Sequence, residues 1–236
     1  MKKGSLYLVP TPLGSFDTNS RVLPQYNIEQ VHKLQIFIVE QVRTARRFLS
    51  SIKHPIAIDD MVFLELNKHT AESDVFSYLD RAKEGEDIGL LSEAGTPCVA
   101  DPGSRIVNMA HESGIEVIPL VGPNSIILAL MASGFNGQNF TFHGYLPVDK
   151  GGLIKSIKEI ENNVYKKNQT QIFIETPFRN SNIFKTITSV CSRSTKLCVA
   201  TDLTLPTENI QTKTISRWGK KVPEFHKKPT VFLLYK

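Results

Sequence analysis

Three short loops rich in glycine and proline are where this chain could hold a ligand. They are Val9-Pro10-Thr11-Pro12-Leu13-Gly14-Ser15, Leu91-Ser92-Glu93-Ala94-Gly95-Thr96-Pro97 running on to Ala100-Asp101-Pro102-Gly103, and Pro119-Leu120-Val121-Gly122-Pro123-Asn124-Ser125. Glycine permits φ > 0 and close backbone approach while proline fixes φ, so such loops present backbone donors and acceptors as rigid edges. A nucleoside-type ligand uses an edge of that kind, and a side chain placed at Gly95 is expected to fill ligand space. Taken singly, each loop is better explained as turn punctuation; three together at the expected binding edge tip the balance to a ligand site. Other chemistries are absent: there is no GxxxxGK[ST] phosphate cradle, no GxGxxG spacing in the first loop, no GxSxG elbow and no Ser-His-Asp arrangement.

Glu40 and Arg43 are the candidates for acceptor-side catalysis. Glu40 follows the apolar run Ile36–Val39, at the carboxyl end of an expected strand, where a carboxylate can serve as general base. Arg43, one turn into the next element, can hold a phosphate bidentately. Each also has a plainer reading, as a first-turn acid favoured by the helix dipole and as a surface ion pair. The histidines are scattered without ligand spacing, which argues against a metal site. Cys98, Cys191 and Cys198 form no CxxC pair and no disulfide framework, which points to a reducing compartment.

The elements that must position these residues alternate along the chain. Leu6–Val9, Ile36–Val39, Ile56–Ile58, Ile88–Leu91 and Val117–Leu120 are short continuous apolar runs, as expected of strands buried on both faces of a parallel sheet. Helical patterns lie between them at Val42–Ile52, Ala71–Lys83, Arg105–Ser113 and Asn124–Ser133. This repetition predicts a doubly wound, mostly parallel sheet, with ligands beyond the carboxyl ends of the strands near the switch in strand order. The pattern changes around residues 139–151. Beyond it come a helix near Leu153–Tyr165, a strand at Gln171–Glu175, a helix at Asn180–Val190 and strands at Leu197–Thr201, Ile210–Ile215 and Thr230–Tyr235. Two α/β domains are therefore expected, residues 1–143 and 144–236, the second with a mixed sheet.

The formal net charge is +5, with late basic residues at Lys166-Lys167, Arg217, Lys220-Lys221 and Lys227-Lys228. A basic face suits a polyanion such as RNA, and a solvated surface accounts for it equally well. The apolar stretch after Lys2-Lys3 is broken by Pro10 and Pro12, unlike an export signal. The run Ile126–Ala132 is far short of the ~20 residues that a membrane span needs. A cytoplasmic protein without membrane association is expected.

At the loops the sequence resembles the tetrapyrrole methylase superfamily, in particular its branch of ribosomal-RNA ribose 2′-O-methyltransferases. The resemblance is carried by Leu6–Gly14, Glu40-Gln41-Val42-Arg43-Thr44, Ser92-Glu93-Ala94-Gly95-Thr96-Pro97 with Asp101-Pro102-Gly103, Gly122-Pro123-Asn124-Ser125, Phe142-His143-Gly144-Tyr145-Leu146-Pro147 and Glu175-Thr176-Pro177-Phe178-Arg179, in order along nearly the whole chain. It implies an S-adenosylmethionine-dependent methyltransferase acting on small-subunit ribosomal RNA, a homodimer, and a cofactor cleft between the two domains. The family's cofactor contacts fall on Pro12, on Ala94, Gly95, Thr96 and Val99, on Asn124 and Ser125, and in the second domain on Glu175 and Leu203. Methylation of a corrin or porphyrin precursor is the family's other large activity, and a cofactor-binding protein without catalysis is the third reading. Gln41 and Glu93 stand where the branch has aspartates, and the sequence ends where the branch has a further C-terminal extension.

Overall fold

The computed structural model describes residues 2–219, 223–225 and 227–236, so the expected basic pair Lys220-Lys221 lies outside the described residues. The chain folds as two compact units that part between Asn124 and Ser125.

The first unit is built on five parallel strands, β1 (Ser5–Val9), β2 (Ile36–Val39), β3 (Val62–Glu65), β4 (Ile88–Leu91) and β5 (Glu116–Pro119), in the order β3-β2-β4-β1-β5. Its helices are α1 (Asn19–Val22), α2 (Gln25–Val31), α3 (Val42–Ser51), α4 (Glu72–Val75), α5 (Asp80–Lys83) and α6 (Ser104–Glu112). Both faces of the sheet are covered. In β2, Phe37 and Val39 join one apolar cluster with Phe48 and Leu49 of α3, while Ile36 and Ile38 join another with Leu79, Ile106 and Ala110. That two-residue alternation of destinations explains why the strand is apolar at every position. Gly89 in β4 makes room for Phe37, whose ring carbons lie 2.9 and 3.0 Å from where a Cβ would stand.

The sheet has the expected switch. The link from β1 to β2 contributes Val31 to the first cluster, and the link from β4 to β5 contributes Ile106 to the second. Neighbouring strands β1 and β4 thus send their connections to opposite faces, which opens a crevice beyond their carboxyl ends.

Two expectations need correction. Ile56–Ile58 is not a strand; the chain there, held back by Pro55, runs into a 3₁₀ turn at Ile58–Asp60, and β3 lies at Val62–Glu65. As the sheet's edge, β3 is only half-buried, so its apolar signal is weaker than that of its neighbours. Ala71–Lys83 is not one helix but α4 and α5 with a turn between them. Within that turn the Ser77 hydroxyl bonds to the Asp74 carbonyl (2.8 Å) and Tyr78 donates to the Glu65 carbonyl (2.5 Å), drawing the segment out of helical register. Val75, Leu79 and Ala82 reach the core regardless. The helices α1 and α2 were not foreseen.

The second unit opens with α7 (Ser125–Ser133), followed by β6 (Phe140–Tyr145), α8 (Lys150–Lys167), β7 (Thr170–Glu175), α9 (Asn180–Val190), β8 (Lys196–Thr201), β9 (Asn209–Thr214), α10 (Ile215–Trp218) and β10 (Thr230–Tyr235). Its sheet order is β6-β7-β10-β8-β9, parallel between β6 and β7 and antiparallel elsewhere, the mixed sheet expected. The expected boundary at 143/144 moves back to 124/125 because α7 packs on β8, β9 and β10 and β6 pairs with β7. Thr212 of β9 donates to the Ser133 carbonyl at 2.9 Å. Asp149 caps α8 by accepting from the Gly152 N–H (2.7 Å), and Lys166-Lys167 close the helix where its dipole favours cations. Those two lysines therefore have a local structural role. Among the described residues no helix is long and apolar enough to cross a membrane.

Candidate functional site

The three loops meet at the carboxyl edge of the first unit. Thr11 and Gly95 form an isolated antiparallel bridge, each N–H donating to the other's carbonyl at 3.0 Å, and Thr11 Oγ1 donates to the Ser92 carbonyl at 3.2 Å. This bridge spans β1 and β4, so it sits on the switch crevice itself. The third loop is locked to the others: Asn124 Nδ2 donates to Thr96 Oγ1 at 2.6 Å, and Gly122 lies against the Pro10 ring. A Cβ on Gly122 would stand 2.3 Å from Pro10 Cβ, so only glycine permits this approach. Gly95 has φ +79°, and a Cβ there would meet Leu13 Cδ2 at 2.9 Å and the Pro123 carbonyl oxygen at 3.0 Å. A side chain at Gly95 would therefore press on the first and third loops. Cys98 (φ 66°) and Ala100 (φ 58°) are also left-handed, so backbone strain is concentrated in the second loop.

Of the residues carried over from the family, Pro12 and Gly95 are buried, Thr96, Asn124 and Ser125 are half-buried, and Ala94 and Val99 are exposed. Ser125 is the first residue of α7 and follows Asn124 directly. The second unit holds Glu175 and Leu203, both buried. Glu175 ends β7; its Oε1 accepts from the Thr176 N–H at 2.7 Å, and Arg179 Nη2 lies 3.1 Å from its Oε2. Arg179 also donates to the Pro147 carbonyl at 2.9 Å, so its guanidinium is engaged within its own unit. Leu203 lies between Asp202 (φ 52°) and Thr204 (φ 70°), a second strained turn.

A group of carboxylates flanks the second loop, and the sequence reading found only part of it. Glu40 follows β2, half-buried. Asp101 has a side-chain hydrogen bond with Glu40. Burial above all, with the charges of Glu40 and Glu93 adding to it, pushes the Asp101 carboxyl up to about 6, although the Ser92 hydroxyl works against the shift. Burial also raises Glu93, helped by the charge of Glu40 and opposed by the Thr44 hydroxyl and the Gln41 N–H. Glu93 Oε1 accepts from that N–H at 3.1 Å. Gln41 is the N-cap of α3 and makes no side-chain cap of its own, so Glu93 places a carboxylate at the positive end of that helix from 52 residues away. The two departures from the family pattern, Gln41 and Glu93, therefore touch each other. Arg43 is exposed in the first turn of α3, with no ion pair among those of the described residues. Asp101 could have been suspected from its place in the Ala100-Asp101-Pro102-Gly103 turn, but nothing in local sequence reveals that it folds back onto Glu40.

The three carboxylates give this edge of the first unit a field that fits a cationic ligand. Among the described residues no group of His, Cys, Asp and Glu is arranged to hold a metal ion.

Residues 28–218 match the family model of the Tetrapyrrole (Corrin/Porphyrin) Methylases. The chain is 31% identical over 214 residues to Ribosomal RNA small subunit methyltransferase I of Haemophilus influenzae, covering 90% of this chain and 70% of that protein. It is 32% identical over 208 residues to the protein of the same name from Escherichia coli O157:H7, covering 88% and 68%. Among solved structures it is similar to the methyltransferase CobJ, with a TM-score of 0.64 at 16% identity over 99% of this chain and 94% of that one, a likeness of fold.

Proposed function

This chain is a methyltransferase of the tetrapyrrole methylase family, and we propose that it moves a methyl group from S-adenosylmethionine to a ribose hydroxyl of small-subunit ribosomal RNA. The observation that carries the reading is the carboxylate group of Glu40, Glu93 and Asp101 set against the three interlocked loops. The residues carried over from the family for the donor are Pro12, Ala94, Gly95, Thr96, Val99 and Asn124 in the first unit and Ser125, Glu175 and Leu203 in the second. The relatives' names supply the ribosomal acceptor.

The sulfonium supplies an activated methyl whose leaving group is a neutral thioether. What remains for the protein is to hold nucleophile, carbon and sulfur in line, an advantage of several kcal/mol from proximity. A ribose hydroxyl is a weak nucleophile until its proton leaves. The hydrogen-bonded pair Glu40 and Asp101 takes that proton as the new C–O bond forms and the C–S bond breaks. A carboxyl near pH 6 suits the task better than an ordinary aspartate, because its conjugate base is stronger while still ionised at neutral pH.

Asp101→Asn and Glu40→Gln each test this with undermethylated small ribosomal subunits and labelled donor. The expected result is a fall in kcat of about 10²- to 10⁴-fold with unchanged affinity for S-adenosylhomocysteine. In the parent, kcat/KM should rise with pH and level off above about 6, following ionisation of Asp101. Full activity in both variants would remove the base from this pair.

A further inference from the structure

A groove of about 710 Å³ in the first unit is lined by residues of the first loop and of α3, together with Glu93 and Ala94 of the second loop. Its walls carry Phe16, Arg46, Arg47, the carboxylate of Asp17, which accepts from the Ser15 hydroxyl at 2.8 Å, and the hydroxyls of Thr44 and Ser50. Arg46 is tied to Asp59. Arg47 has no carboxylate partner among the ion pairs of the described residues; its guanidinium lies over the Phe16 ring, 5.9 Å from its centre, and that ring packs at a tilt on Phe48 with centroids 5.8 Å apart.

An aromatic ring beside a guanidinium that no carboxylate pairs, with hydroxyls along the α3 wall, has the chemistry that receives an unstacked nucleotide. Arginine's planar fork matches a phosphate, the ring offers a surface for a base, and hydroxyls suit a ribose. The volume falls in the range of a small-ligand pocket, enough for about one or two nucleotides and too small for a duplex. Pro12 and Ala94, both assigned to the donor, also line the groove, so a nucleotide seated on its α3 side lies next to the reacting one.

Resting on the reading of this chain as an RNA methyltransferase, we propose that the groove seats one nucleotide of single-stranded RNA beside the methyl acceptor, with its phosphate on Arg47 and its base against Phe16. Of the arginines in α3, Arg47 is thereby the one that lines the groove without a carboxylate partner among the ion pairs of the described residues.

The test uses the full chain, a fluorescein-labelled single-stranded RNA decamer for anisotropy, undermethylated small ribosomal subunits for transfer, and calorimetric titration with S-adenosylhomocysteine. Arg47→Ala should weaken RNA binding roughly tenfold, the effect of one charge-assisted contact. It should also lower the slope of log affinity against log salt by about 0.7, one single-strand phosphate. Arg47→Lys should restore the slope. Ser50→Glu, at an exposed position, should weaken RNA binding from the opposite chemistry by placing an anion in the groove. Affinity for S-adenosylhomocysteine should stay the same throughout. Parent-like RNA affinity in both Arg47→Ala and Ser50→Glu overturns the proposal while leaving methyl transfer to RNA intact. A parallel loss of S-adenosylhomocysteine affinity overturns it by giving the groove to the donor. A parent protein that neither binds nor methylates RNA ends the functional reading and this inference together.

Discussion

In the first unit, Glu40 and Glu93 follow the carboxyl ends of β2 and β4; in the second, Glu175 ends β7 and Asp202 follows β8. The four positions are alike in the strand, yet their partners differ. Glu175 has Arg179 at 3.1 Å and Asp202 has Lys228 at 3.2 Å, and both acids are buried. Glu40, Glu93 and Asp101 have no cation among the ion pairs of the described residues and face one another instead. A carboxylate at a strand end is thus no signal of chemistry in itself. Where a cation neutralises it, the group is fixed in its charged form; where carboxylates face each other, protons are held more tightly, which suits the proton transfer proposed for Glu40 and Asp101.

The largest expected effect breaks the paired side of this contrast. Arg179→Ala leaves the Glu175 carboxylate buried without its cation, and the loss of one partner of a buried pair costs about 3 kcal/mol. Urea unfolding should show that loss as a lower midpoint with an unchanged slope. A cost near zero would mean that Thr176 and the protein dipoles hold Glu175 unaided, and the distinction between the two units would weaken.

A smaller effect concerns the backbone that holds the facing carboxylates. Gly95 and Gly134 have similar φ values, +79° and +74°, but a Cβ on Gly134 meets nothing within 4 Å. Gly134→Ala should therefore cost about 1 kcal/mol, the conformational term alone. Gly95→Ala adds the clash with Leu13 and the Pro123 carbonyl, for about 2 kcal/mol or more in total, and it should also weaken S-adenosylhomocysteine binding by shifting the Thr11 bridge. Equal costs at the two glycines would show that the loops adjust freely around Gly95.

The parts of this protein that sequence discloses are those governed by local period and turn chemistry. Ile36–Val39 and Ile88–Leu91 read as doubly buried strands because every residue is apolar, and both are strands with those bounds. The three loops read as one ligand edge because each follows a strand of the parallel sheet. What escaped depends on contacts between distant residues. Val62–Glu65 is an edge strand whose half-exposure thins its pattern, and α7 reads as part of the first domain until its packing on β8–β10 is seen. At the site, Glu40 was visible from its strand, whereas Asp101 acquires its character from burial above all, with the charges of Glu40 and Glu93 adding to it, and these arise only when distant parts of the chain are packed together. Glu93 and Gln41 were visible only as separate departures, and folding makes them one contact.

The smallest effect isolates the facing carboxylates through pH. The Asp101 carboxyl is raised from 3.8 to about 6, so between those values the folded protein binds a proton that the unfolded chain has released. Stability must then fall as pH rises through that window and stay level above it. Asp101→Asn keeps the shape of the neutral acid and removes the titration. The variant should match the parent near pH 4 and exceed it at pH 7.5 by about 1 kcal/mol, a figure discounted from the full shift because the group is only half-buried and solvent screens its charge. Paired urea titrations at the two pH values cancel the contribution of every other carboxylate. If the asparagine variant is instead less stable at pH 7.5, the ionised Asp101 has a favourable partner in the folded state. The first unit would then resemble the second, and Asp101 would lose its place as the proton acceptor.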